Sequence, residues 1–126
     1  MNAPKKSLLA VTAIIEAGAG VALMIVPSAA VMLLLGAPLD MQAGPIIARI
    51  AGAALLALGV ACWIARKDAQ SHAAAGLTAA MSLYNSATVV ILSVAGIGYG
   101  PRGALLWPAV ILHAAMAIWC AAYVRK

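Results

Sequence analysis

Long apolar runs, broken by short clusters of proline, glycine and charge, make up most of this chain. The runs cover residues 7–26, 45–65, 73–95 and 104–124. The first is closed by Pro27, the second opens on Pro45, and the third ends among Gly96, Gly98 and Gly100. Each has about the 20 residues that a helix rising ~1.5 Å per residue needs to cross a ~30 Å hydrocarbon layer. Backbone inside such a layer must satisfy its own polar groups, so each run predicts a membrane-spanning α-helix. A fifth stretch, SAAVMLLLGAPLD over residues 28–40, is apolar but too short to cross. It predicts a short helix lying in the interface, or a re-entrant turn. The expected fold class is an all-α integral membrane protein. It is a single domain over 1–126, a four-transmembrane-helix bundle with a short interfacial helix between helices 1 and 2.

Composition excludes the soluble alternative. The 126 residues are 66% hydrophobic and 9% charged, with a mean hydropathy of +1.07. A soluble domain carries about a quarter of its residues as charges. The net charge of +5 does not point to nucleic acid, because the basic residues form no stripe interleaved with aromatics. They flank the apolar runs instead. Lys5, Lys6, Arg66, Lys67, Arg125 and Lys126 fall on one side, and the opposite loops carry only Arg102 and Asp40. By the positive-inside rule both termini are expected in the cytoplasm of a bacterial inner-membrane, multi-pass protein. A cleaved signal peptide over Lys5 to Ala30 is disfavoured, since the apolar run is long for that purpose and Glu16 interrupts it. Tyr99, Trp107 and Tyr123 read as interface anchors. Cys62 and Cys120 lie in apolar helix near the reducing side and are expected to stay free thiols.

Polar residues inside the runs are the candidate chemistry. Glu16, Asn85 and His113 each fall near the middle of a run, Tyr84 neighbours Asn85, and Arg49 enters the second run close enough for its long side chain to reach deeper. A lone charge at that depth costs ~2.5–3.5 kcal/mol on insertion scales. Pairing Glu16 with Arg49, with Tyr84, Asn85 and His113 completing the hydrogen bonds, would relieve it. Such a layer is expected to bind a ligand, although a buried ion pair can also serve only to fix helix packing. Thr78, Ser82, Asn85, Ser86 and Ser93 form one helical stripe, expected to join helices rather than line a pore. Thr12, Glu16 and Gly20 share a face on the first run. His113, Met116 and Cys120 share one on the fourth, and Arg49, Gly52, Leu56 and Gly59 share one on the second. A metal site from Glu16, His113, Met116 and Cys120 mixes hard and soft ligands and is disfavoured. Haem held by two histidines would need His72, which lies in a polar loop. No CxxC, HExxH, Walker loop, GxSxG or Rossmann glycine motif is present.

The four runs, the acid in the first, the short apolar segment after it and "RIAGAALLALG" opening the second resemble the DoxX-like group of small bacterial membrane proteins. The shared pattern is Arg49, Gly52 and Gly59. The resemblance covers nearly the whole chain and implies an inner-membrane protein, some relatives of which are subunits of quinone-linked oxidoreductases. It transfers no catalytic residue. The expected function is a binding or accessory role, with Glu16, Arg49, Tyr84, Asn85 and His113 holding a small amphipathic or quinone-like ligand or a partner subunit. A quinone-linked redox subunit and a small transporter working as a homo-oligomer are the alternatives.

Overall fold

The computed structural model describes residues 3–39, 42–98 and 100–124. Asp40, Tyr99, Arg125 and Lys126, which entered the charge and anchor arguments, lie outside them. The described residues fold into α-helices and one 3-10 turn, without strands. The elements are α1 (Ala3–Ile25), α2 (Pro27–Leu35), α3 (Ala43–Ala65), α4 (His72–Ile97) and α5 (Leu106–Tyr123). The 3-10 turn Arg66–Asp68 joins α3 to α4. Four of the helices are long and apolar enough to cross a membrane, matching the expected runs to within a few residues.

Local chemistry explains the boundaries. α1 ends where Val26 leaves the helical region, and Pro27 then opens α2, where a missing N–H costs nothing. Gly36 closes α2 in a left-handed conformation at φ 71°, its N–H donating to the Met32 carbonyl at 2.8 Å. Ser71 caps α4, its Oγ accepting from the Ala74 N–H at 3.1 Å. The third run does not stop at Gly96. α4 continues to Ile97, and Gly96 is instead a contact point, because a Cβ there would lie 2.7 Å from the Leu106 side chain.

The long helices associate in pairs. α1 packs along α3 and α4 along α5, while contact between the two pairs is sparse. The α1–α3 crossing is backbone against backbone. A Cβ on Gly20 would sit 2.6 Å from the Gly52 carbonyl oxygen, and one on Gly59 would sit 2.8 Å from the Ala17 nitrogen. The face of the second run that carries Gly52 and Gly59 therefore does close the helices together, meeting Gly20, Ala13 and Ala17 on α1.

The two pairs meet at their ends. At the end bearing the chain termini, Leu8, Leu9, Met81, Met116, Cys62 and Cys120 are packed into one core, the cysteines as free thiols. Lys5 joins this end almost wholly enclosed, 3% exposed, rather than standing outside the first helix as a flanking charge. Its four-carbon stem can cover apolar surface there. At the other end α2 acts as a clasp. The Leu105 N–H donates to the Leu33 carbonyl at 2.9 Å, and Gly103 lies against the Leu33 backbone closely enough to leave no room for a Cβ.

The crossing gives a direct test. Gly20→Ala and Gly59→Ala should lower the melting temperature in detergent, whereas Gly76→Ala should leave it unchanged or raise it. A Cβ on Gly76 would meet nothing within 4 Å, and alanine gains about 0.5–1 kcal/mol over glycine in a helix interior. Equal effects at all three positions would contradict the close crossing.

Candidate functional site: an apolar cavity with a polar floor

Between the end core and the α2 clasp the two helix pairs stand apart. The gap is a cavity of about 770 Å³, within the range of about 300–1,000 Å³ typical of small-molecule sites. Its walls are alanines, leucines and other apolar side chains from all five helices. Along α1 it runs from Ile15 to Leu23, a rise of roughly 12 Å, and continues past the helix end at Val26. The polar lining is unevenly placed. Glu16, Tyr84 and His113 all lie at the end where the cavity meets the core, while the far end toward α2 is apolar.

Glu16 is 2% exposed. Among the described residues it has neither a hydrogen-bond nor an ion-pair partner. The pairing with Arg49 expected from depth is not formed. Arg49 is exposed, and its Nε donates to the Met24 carbonyl at 3.1 Å. Met24 is one residue from the end of α1, so the guanidinium satisfies one of the carbonyls that a helix C-terminus leaves open. Eight residues separate Met24 from Glu16, roughly 12 Å along the helix. Arg49 is also absent from the cavity lining.

His113 and Asn85 do come together across α5 and α4. His113 Nδ1 lies 2.7 Å from Asn85 Oδ1, and the Asn85 amide nitrogen donates to the Met81 carbonyl at 2.7 Å. This arrangement fixes the imidazole. A carbonyl only accepts, so the NH₂ of Asn85 faces Met81 and its oxygen faces the histidine. That oxygen also only accepts, so Nδ1 carries the proton, and in the neutral ring Nε2 carries the lone pair. Tyr84 packs edge-on against the ring, centroids 5.8 Å apart and planes at 81°, which holds its orientation.

The other polar residues are accounted for locally. The hydroxyls of Thr78, Ser86 and Thr88 each donate to the carbonyl four residues back in α4. Within the stripe, the Thr78 and Ser86 hydroxyls are thus satisfied inside their own helix, while Asn85 joins α4 to α5 through His113. Thr12 is buried on the Glu16 face with its hydroxyl unpartnered. Among the described residues no three His, Cys, Asp or Glu side chains are grouped as a metal site would require. The cavity itself was not anticipated from sequence, and its wall residues, such as Ala54 and Ala109, carry no polar signal.

Comparison with family models, curated proteins and solved structures returns no match to this chain.

Two double-mutant cycles on thermal stability separate these contacts. Asn85→Leu and His113→Phe should be non-additive, with a coupling of about 0.6–1.7 kcal/mol as for interhelical hydrogen bonds in membranes. Glu16→Gln and Arg49→Leu should be additive within about 0.5 kcal/mol, as for groups without a shared partner. Strong coupling of Glu16 to Arg49 would mean that the pair forms after all.

Proposed function

We propose that the protein is a multi-pass protein of the bacterial inner membrane that binds a small amphipathic molecule in the cavity between its two helix pairs. The observation that carries this reading is the placement of Glu16 and His113 at one end of a large, otherwise apolar cavity. A molecule with an apolar body and a polar head fits such a site in one orientation, with the head against Glu16 and His113.

In this reading α1, α3, α4 and α5 span the bilayer, with both ends of the chain in the cytoplasm, and α2 lies in the outer interface. Exposed Ile14, Ile47, Leu83, Ile91, Ile111 and Ile118 then face lipid, as an apolar exterior requires. An intramembrane acid without a partner is costly, which favours a functional reason for keeping it. Arg49, one of the expected ligand residues, has a structural task in this reading. It closes α1 beneath the interface, where a long basic side chain reaches water. The DoxX-like resemblance is retained as a proposal on the pattern Arg49, Gly52 and Gly59. The two glycines belong to the α1–α3 crossing, so the pattern speaks to packing more than to the ligand.

Native mass spectrometry of protein released from its own membranes tests the reading. Wild type should carry a small-molecule adduct of a few hundred daltons. Ala54→Trp and Ala109→Trp, which fill the cavity from α3 and α5, should lose it while staying helical and monodisperse. Absence of any adduct, or an adduct that survives both substitutions, would count against the cavity as the binding site.

A further inference from the structure

We infer that the head group recognised in this cavity is an ammonium, so that the ligand class is lipophilic amines. The inference deepens the binding reading above and rests on it.

The polar floor of the cavity holds two acceptors, the Glu16 carboxylate and the His113 lone pair, with no cation beside them, together with the Tyr84 hydroxyl. Glu16 is 2% exposed, faces the cavity and has no partner among the described residues. Its obvious counterion, Arg49, is turned to the Met24 carbonyl, and the lining contains neither lysine nor arginine. His113 gives its Nδ1 proton to Asn85, which leaves Nε2 to accept. Asn85 is spent on both sides, on His113 and on Met81. A carboxylate and an imidazole lone pair at the floor of an apolar cavity suit a head that donates from more than one N–H and carries one positive charge. The ring of Tyr84 is also in the lining, and the face of an aromatic ring attracts a cation. The ligand would thus supply the charge that the fold withholds from Glu16. An uncharged hydroxyl donates only once and leaves the carboxylate uncompensated. A ligand bearing only carbonyl oxygens can accept from the Tyr84 hydroxyl but brings no donor and no charge to Glu16.

The depth of the site favours a free amine over a lipid head group. Glu16 lies nine residues inside the α2 end of α1, roughly 13 Å. A phospholipid ammonium would have to bring its phosphate well into the apolar part of the cavity to reach it.

The test compares dodecylammonium with dodecanol, which share a chain and differ in the head. Binding is measured by calorimetry to the full chain in phosphatidylcholine nanodiscs, with empty discs as the reference for partitioning. The wild type should bind the amine about tenfold or more tightly than the alcohol, as expected for a hydrogen-bonded charge pair. Glu16→Gln should abolish that preference while leaving the alcohol unaffected. Equal affinities in the wild type, or an amine preference unchanged in Glu16→Gln, would overturn the inference. The comparison in wild type stands even if the variant fails to fold. Ala54→Trp separates the ammonium from the cavity. If both probes bind equally and both are lost in Ala54→Trp, the cavity reading stands and the ammonium falls. If neither probe binds, or Ala54→Trp changes nothing, both fall. Discs of phosphatidylethanolamine identify the source. An unchanged amine affinity supports a free amine, and a loss of about tenfold by competition supports the lipid's own ammonium at the same acceptors.

Discussion

Helices that are apolar on every side have little in their pattern to choose partners by. Burying one leucine face costs and returns about the same against lipid as against another helix, so association falls to close packing of backbones. Here that packing is carried by Gly20 on α1 against Gly52 and Leu56 on α3, and by Gly59 against Ala13 and Ala17. Backbone atoms approach so nearly that a methyl group could not be inserted. This contact turns α1 and α3 into one rigid unit and determines which side of α1 remains free. Glu16, one turn before Gly20, lies beside that contact, within the cavity wall.

The rest of the architecture follows from having two such units. α4 and α5 form the second, and the units touch through the core at one end and the α2 clasp at the other. A rigid pair held to another rigid pair only at its ends leaves a space in the middle. Small side chains along that space, such as Ala19, Ala51, Ala54 and Ala109, keep it open. The cavity is therefore a product of helix pairing, and the polar floor is a product of where Glu16, Tyr84 and His113 fall along their helices. The Asn85–His113 hydrogen bond ties the floor to the second unit and fixes which ring nitrogen can meet a ligand.

Much of this was legible in the chain. Length and hydropathy mark the four long helices, and Pro27 with Gly36 brackets the short one. Gly52 and Gly59 at helical spacing indicate a close face on α3, and depth alone places Glu16, Asn85 and His113 near one level. Depth failed for Arg49. It measures distance along an axis and says nothing of rotation about it, and a long side chain can turn toward either end of its helix. A free carbonyl at the end of α1 was the nearer partner, and sequence gives no sign of it. The α4 stripe reaches a second helix through Asn85 and His113, but its hydroxyls behave otherwise. Hydroxyls on a helix find their own carbonyls four residues back, so a polar face need not meet a polar neighbour. The cavity had no sequence signal at all, because an alanine lining a void and an alanine facing lipid look alike.

The site depends on the helix pairs standing apart beside α4 from Tyr84 outward and packing together nearer the termini. Thiol accessibility tests this directly. In a background with Cys62 and Cys120 replaced by alanine, single cysteines are placed at Thr88, which lines the cavity, and at Thr78, which is 1% exposed in the packed half. A small membrane-permeant maleimide is then applied to native membranes. Rapid labelling is expected at position 88 and protection at position 78. Equal protection at both would contradict the cavity, and with it the site built around Glu16 and His113.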